Sequence, residues 1–251
     1  MAMGTAEAIE IDRLSMRERP EGRRAMRMSW GKLLFMHWPI RASALRPLIP
    51  ERLSIDEMDG TAWIGIVPFT MWNIRKAGLP RVPTQHAFHE LNVRTYVHLN
   101  GEAPGVWFFS LDAAKRLPVA MARRLYRLPY YHARMHLEQF GKTIRYTSRR
   151  IHRGAAPALF DATWEIGRER PETTPESLDF FLTERYCLYS ARGEELYRAR
   201  IFHEPWPLRE AKVREWRSSM AGALELPEPD EEARVAYVEA IDVDVWGLER
   251  V

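Results

Sequence analysis

Cysteine is nearly absent from this 251-residue chain, where Cys187 stands alone. One cysteine excludes an internal disulfide and any cysteine-based zinc site, and it fits a reducing, cytoplasmic setting. Lysine is scarce as well: Lys32, Lys76, Lys115, Lys142 and Lys212 stand against 32 arginines, so lysine chemistry is confined to five positions. No apolar run approaches the ~18 residues that a membrane helix needs. The longest, Leu33 to Ile40, is short and carries His37. The opening MAMGTAEAIEIDR lacks the apolar centre of a secretory signal. No dinucleotide fingerprint, P-loop or Gly-x-Ser-x-Gly pattern occurs, so nucleotide-binding and serine-hydrolase readings have no support.

What is present is the composition of a soluble globule, with 46% hydrophobic and 28% charged residues. The length suits one large domain. Residues 1–28 carry scattered charge without apolar periodicity and read as an N-terminal arm; 29–251 read as a single domain. The net charge of +3 conceals two blocks. Between Ala113 and Arg153 eleven basic residues face one acid, Glu138, while from Glu225 to Val251 nine acids face Arg234 and Arg250. The two blocks either pair with each other, within the chain or across a homo-oligomer, or the basic one attracts anions. No recognisable nucleic-acid module accompanies them, so neither a nucleic-acid nor a membrane partner is expected.

The hydrophobic pattern is that of many short strands. Strands are predicted at Leu33–Trp38, Glu90–Leu99, Val106–Leu111, Tyr130–Leu137, Lys142–His152, Ala158–Ile166, Arg185–Ser190 and Glu195–His203. Asp59-Gly60 predicts the turn of a hairpin over Leu53–Phe69, and Asn100-Gly101 marks another turn. Short helical segments are expected after Ser43 and over Ser177–Glu184. A longer helix is expected from Asp112 to about Leu128, and another over Leu208–Arg217 ahead of an acidic loop. The fold class is therefore mainly β (α+β), an antiparallel sheet closed or folded on itself, with few helices.

The segment Glu90-Leu91-Asn92-Val93-Arg94-Thr95-Tyr96-Val97 is the most informative. In a strand, Glu90, Asn92, Arg94 and Tyr96 share one face. On an ordinary half-buried sheet that face meets water; in a closed barrel it lines an interior. Lys115 lies beside Arg116, and a neighbouring cation or desolvation favours the neutral amine that a lysine nucleophile needs. The alternative is a solvated surface lysine. His86 and His89 beside Glu90, and His132 with His136, are spaced for metal binding, but neither brings a clear third ligand, and no metal is expected. Tyrosines cluster at Tyr126, Tyr130 and Tyr131 and again at Tyr186, Tyr189 and Tyr197, suited to a core or to a pocket wall. His37 and His203 each lie near a Trp-Pro pair, and whether they meet is left open.

Several stretches resemble a bacterial family, the YqjF-like proteins, known as a numbered domain of unknown function. They are FMHWPI from Phe35, LRPLIP from Leu45, DGTAWIGIVPF from Asp59, ELNVRTYV from Glu90, GVWFFSLDA from Gly105, RLYRLPYYHARM from Arg124, FLTERYCLYS from Phe181 and IFHEPWPL from Ile201. That family is grouped by fold with acetoacetate decarboxylase, a β-structure curved around a central cavity. The resemblance implies that Glu90, Asn92, Arg94 and Tyr96 point into a pocket. In the decarboxylase a lysine forms a Schiff base with a β-keto acid beside a second lysine; here Ala113-Ala114-Lys115-Arg116 occupies a comparable region. The reading is a polar interior pocket for a small carboxylate or carbonyl compound, held by Arg94, Asn92, Tyr96 and Tyr189. The alternatives are a cofactor-free lyase or decarboxylase with Lys115 as imine-former and Glu90 as acid or base, and a structural or oligomerisation module.

Overall fold

The computed structural model of the protein describes residues 11–78, 87–115, 126–229 and 231–251. Thirteen strands carry the fold. They are β1 (Met26–Ile40), β2 (Ser54–Ile55), β3 (Ala62–Lys76), β4 (Phe88–Leu99), β5 (Glu102–Ala113), β6 (Tyr130–Phe140), β7 (Thr143–Arg150), β8 (Leu159–Glu169), β9 (Cys187–Arg192), β10 (Glu195–Phe202), β11 (Arg209–Ser218), β12 (Arg234–Val245) and β13 (Glu249–Arg250). Among the described residues two short helices accompany them, α1 (Ala42–Leu45) and α2 (Leu178–Thr183). The protein is mainly β, built on one large curved sheet.

Two strands branch, and the branching closes the sheet twice. β5 pairs with β4, β6 and β9, and β12 pairs with β1, β10 and β11. One ring runs β4–β5–β6–β7–β8–β11–β12–β1–β3 and returns to β4; a smaller ring runs β4–β5–β9–β10–β12–β1–β3. The pairings are antiparallel except β5–β6 and β5–β9. The strands β12, β1, β3, β4 and β5 form a wall common to both rings. That is why β3 and β4 are almost continuously buried rather than alternating. One face of the wall packs Leu91, Val93 and Val97 with Tyr146, Phe160 and Trp164 from the larger ring. The other packs Phe35, Val67, Phe69, Phe88 and Ala113 with Ile201 and Trp206 from the smaller one. Fully burying a large apolar side chain contributes roughly 1.5–3 kcal/mol, so a wall buried on both faces is well held.

Local chemistry explains the turns. Asn100 (φ 53°) and Gly101 (φ 85°) both take left-handed backbone, the type I′ geometry that joins β4 to β5. Asp59 and Gly60 do the same between the bridged pair Met58 and Thr61. The hairpin predicted around them is corrected, because β2 pairs with β4 at Ser54–His98 and Ile55–Val97 instead of with β3. The helix expected over Ser177–Glu184 is α2, and Ser177 caps it, its Oγ accepting from Phe180 N at 3.2 Å. Ser43 does not cap α1; it lies within the helix, and Arg41 stands at the cap.

Three further expectations change. Leu208–Arg217 is strand β11, not helix. Register shifts after Arg209 and Val213 break its alternation and mimic a helical spacing of apolar residues. The acidic C-terminal stretch is not loop but largely β12, whose Glu239 and Asp242 pair with Lys32 and Arg27 on neighbouring β1. β5 continues through Asp112 and Ala113, so no helix starts at Asp112. The rest of that predicted helix falls largely on 116–125, outside the described residues. Residues 11–25 lie against the body: Met16 is buried, Arg13 pairs with Asp56 at 2.5 Å and Arg19 with Asp244 at 2.5 Å.

Candidate functional site

Strand alternation carries Glu90, Asn92, Arg94 and Tyr96 to the smaller ring's side of the wall, and they are only 3%, 5%, 9% and 0% exposed. A row of polar side chains out of water must find partners or leave them to a ligand. Glu90 accepts a hydrogen bond from the Tyr130 hydroxyl at 2.9 Å. Burial pushes its carboxyl up to about 8; Tyr130 opposes the rise and nearby Asp112 adds to it. At neutral pH Glu90 is thus protonated and can donate.

Arg94 is the unusual member. Its Nη2 donates to the Tyr96 hydroxyl at 3.3 Å and to the Leu182 carbonyl at 3.2 Å, and its guanidinium lies 5.2 Å from the Phe35 ring centre. Among the described residues no carboxylate pairs with it, and its Nε and the neighbouring Asn92 Oδ1 have no hydrogen-bond partner. Arg185, in contrast, has a carboxylate counter-ion: it pairs with Asp56 at 2.6 Å and lies 4.6 Å from the Tyr96 ring, although its Nη2 has no hydrogen-bond partner.

Tyr96 connects strand β4 to β1 and α2. Its hydroxyl donates to Leu182 O at 2.6 Å and lies 2.6 Å from His37 Nε2. Because the phenol has one proton, committed to Leu182, bond accounting assigns the Nε2 proton to His37, which donates to Tyr96. Burial and, after it, the charges of Arg94, Arg234 and Arg185 hold the His37 ring well below its ordinary range, so it is neutral. Gly65, opposite both His37 and Arg94 in the ladders, makes the room: a Cβ there would meet the His37 ring at 2.8 Å. His203 is pushed down to about 4, chiefly by burial. It stacks on Tyr186 at 4.5 Å and lies 4.6 Å from Trp206, which meets Phe35 edge-on at 5.2 Å. His37 and His203 therefore flank the Phe35–Trp206 pair.

The other candidates lie elsewhere. Lys115 is half-buried just past β5, its Nζ 6.0 Å from the centre of Phe88, two residues before Glu90 on the same face; Arg116 falls outside the described residues. Tyr189 is not brought to Arg94. Its hydroxyl donates to Ala103 O at 2.8 Å, and its ring packs in the cluster of Leu91 and Val93. His86 falls outside the described residues, while His89 bonds Thr70 at 2.9 Å and His136 pairs with Glu138 at 3.2 Å. Among the described residues no group of three or more His, Cys, Asp or Glu gathers as a metal site. Among the described residues no ion pair joins the acidic block to the basic one; Asp242, Asp244 and Glu239 pair with Arg19, Arg24, Arg27 and Lys32. Asp112, expected at the start of a helix, forms a buried pair with Arg150 at 2.8 Å. Sequence reasoning missed Arg185, Asp56 and the Leu182 carbonyl, and it noted His37 and Tyr130 without placing them in the site. Only His37, beside Trp38-Pro39, and Tyr130 carried any local signal.

A buried polar face inside a doubly closed β-sheet defines the acetoacetate-decarboxylase-like fold class, and solved structures agree. The enduracididine biosynthesis enzyme MppR complexed with pyruvate superposes with a TM-score of 0.64 at 12% identity, over 92% of this chain and 91% of that one. An acetoacetate decarboxylase-like enzyme from Sphingomonas wittichii RW1 gives 0.61 at 12% identity, over 92% and 94%. An acetoacetate decarboxylase gives 0.60 at 16% identity, over 92% and 90%. At such identities the likeness is one of fold. Within that class the chain belongs to the DUF2071 family, described as an uncharacterized conserved protein, which matches residues 27–242. It is 39% identical over 236 residues to the uncharacterized protein YqjF of Bacillus subtilis (strain 168), covering 92% of this chain and 94% of that protein. Among the described residues no helix is long and apolar enough to cross a membrane.

Proposed function

We propose that the buried face of β4 binds a small carboxylate-bearing carbonyl compound, with Arg94 as its carboxylate partner. The observation that carries this is Arg94 itself, only 9% exposed, whose guanidinium pairs with no carboxylate among the described residues. A buried charge without a counter-ion is costly, and an anionic ligand supplies one. Protonated Glu90 offers a donor to a ligand oxygen along the same strand face, and the unpartnered Asn92 Oδ1 beside it suits a hydroxyl or enol proton of such a compound. Tyr96, locked between His37 and Leu182, holds the Arg94 fork in place. Pyruvate, which the structurally similar MppR holds, is the probe. Calorimetry should give saturable binding to the protein, lost in Arg94→Ala while the folded circular dichroism spectrum is kept. Unchanged affinity in that variant would overturn the assignment.

A second reading is favoured by the placement of Lys115 over Phe88, on the Glu90 face. In this reading the Lys115 amine would add to the ketone carbon of a β-keto acid and expel water, giving an imine. On loss of CO2 the electrons of the broken C–C bond would pass into that imine, and the resulting carbanionic carbon would take a proton from Glu90. Borohydride trapping with a panel of keto acids tests it. Substrate-dependent labelling of Lys115 supports the lyase, and its absence on folded protein leaves binding alone.

A further inference from the structure

β5 belongs to both rings, and where they part it leaves a gap. It pairs with β9 through Val106 and Trp107 and with β6 through Leu111, Asp112 and Ala113. On that edge residues 108–110 have no register partner among the described residues. The gap opens into a crevice of about 820 Å³, within the roughly 300–1,000 Å³ of small-molecule sites. Its composition is one-sided. Trp107, Phe109 and Tyr131 are among its aromatic walls, and among the described residues that line it Arg127 and Arg192 are the charged ones, with no acid.

The two arginines are not equivalent. Arg127 is held on left-handed backbone (φ 56°), lies 3.6 Å from the Tyr197 ring centre and is 3.7 Å from Glu195, so its charge is partly answered. Arg192 is exposed at the end of β9 and makes no ion pair among the described residues. Ser190, which also lines the crevice, is 2% exposed, and its hydroxyl has no hydrogen-bond partner. Flat apolar walls, an unpaired guanidinium and an unsatisfied hydroxyl are complementary to an anion attached to a flat ring.

We infer that this crevice is a second binding site, distinct from the β4 face, for a small aromatic carboxylate. The ring lies between the aromatic walls, and the carboxylate meets Arg192 and the Ser190 hydroxyl. Neither Arg94 nor Glu90 takes part.

Benzoate is the probe, and the indole of Trp107 in the wall supplies a fluorescence signal. Saturable quenching is expected with benzoate. Benzyl alcohol, which keeps the ring and loses the charge, and acetate, which keeps the charge and loses the ring, should each bind at least about tenfold more weakly. Arg192→Ala should weaken benzoate by a similar factor, and Trp107→Leu should abolish most of the quenching. Arg94→Ala should leave benzoate binding unchanged, which separates this site from the carboxylate site on β4. The inference is overturned if benzoate shows no saturable binding to folded protein, if acetate or benzyl alcohol binds equally well, or if Arg94→Ala abolishes binding while Arg192→Ala does not. Should Arg192→Ala lose its fold, Arg192→Lys keeps the test open. A point charge in place of the planar fork should weaken benzoate without altering the melting temperature, and unchanged affinity in it overturns the Arg192 contact.

Discussion

The Tyr130 hydroxyl donates to the Glu90 carboxyl at 2.9 Å, and yet Glu90 keeps its proton up to about pH 8. One hydrogen bond to the ionised form does not replace the water that burial removes, and Asp112 nearby makes a second negative charge less welcome. The smaller ring therefore holds a fixed positive group, Arg94, and a protonated acid on the same strand, four residues apart.

This arrangement sets a pH dependence of stability. The Glu90 carboxyl has a raised pKa in the folded state, so the folded protein holds the proton more tightly than the unfolded chain does. Stability from this group is full below about 4.5 and falls as pH rises towards about 8, above which it is flat. Glu90→Gln should remove that slope, which amounts to at most about 1.4 kcal/mol per pH unit. Urea unfolding at pH 5 and pH 8 checks it; an unchanged slope in the variant contradicts a buried, protonated Glu90.

His203 acts in the opposite direction. Its ring titrates at about 4 in the folded protein against 6.5 normally, so its contribution is present above 6.5 and lost as pH falls to about 4. Between about 4.5 and 6.5 the two contributions oppose each other, so His203→Gln should make stability fall more steeply with rising pH in that window and leave the fall from 6.5 to 8 unchanged. A melting-temperature profile from pH 4 to 9 checks it, and an unchanged slope below 6.5 in the variant contradicts the burial of His203.

Asp56 answers two guanidinium groups, Arg185 at 2.6 Å and Arg13 at 2.5 Å. Asp56→Ala leaves Arg185 buried without a partner and should cost about 3–5 kcal/mol, whereas Arg13→Ala, which removes a part-exposed group, should cost about 1 kcal/mol or less. Denaturant unfolding of the two variants gives the comparison. Equal losses contradict the ranking.

Gly65→Ala directs a methyl group at the His37 ring, which the bare glycine accommodates. Overpacking of this kind should cost about 1–3 kcal/mol and displace the His37–Tyr96–Leu182 chain. Pyruvate affinity should fall as well. A variant with wild-type stability and affinity would show that His37 does not hold Tyr96.

The strands were legible in the sequence because β7 and β8 alternate in burial, because β4 alternates polar with apolar residues although both its faces are buried, and because Asn100-Gly101 admits few other turns. β11 and β12 were not. Register shifts in β11 imitate helical spacing, and the acids of β12 look like loop until Arg27 and Lys32 of β1 appear beside them. The polar row of β4 could be read residue by residue, yet its burial depends on ring closure, a long-range property to which one strand's pattern is blind. Tyr189 shows the limit from the other side. It shares tyrosine chemistry with Tyr96, but the β5–β9 pairing turns it to another cluster.

Arg94 as a ligand-binding cation makes a prediction that a structural arginine does not share. Replacing an unpaired buried charge by an apolar side chain of similar length should relieve the ligand-free protein and remove its response to an anion. The measurement is thermal unfolding of wild type and Arg94→Met, each with and without pyruvate. Wild type should melt higher with pyruvate, and Arg94→Met should melt at or above ligand-free wild type and show no further rise. A destabilised Arg94→Met that is still stabilised by pyruvate would contradict the account.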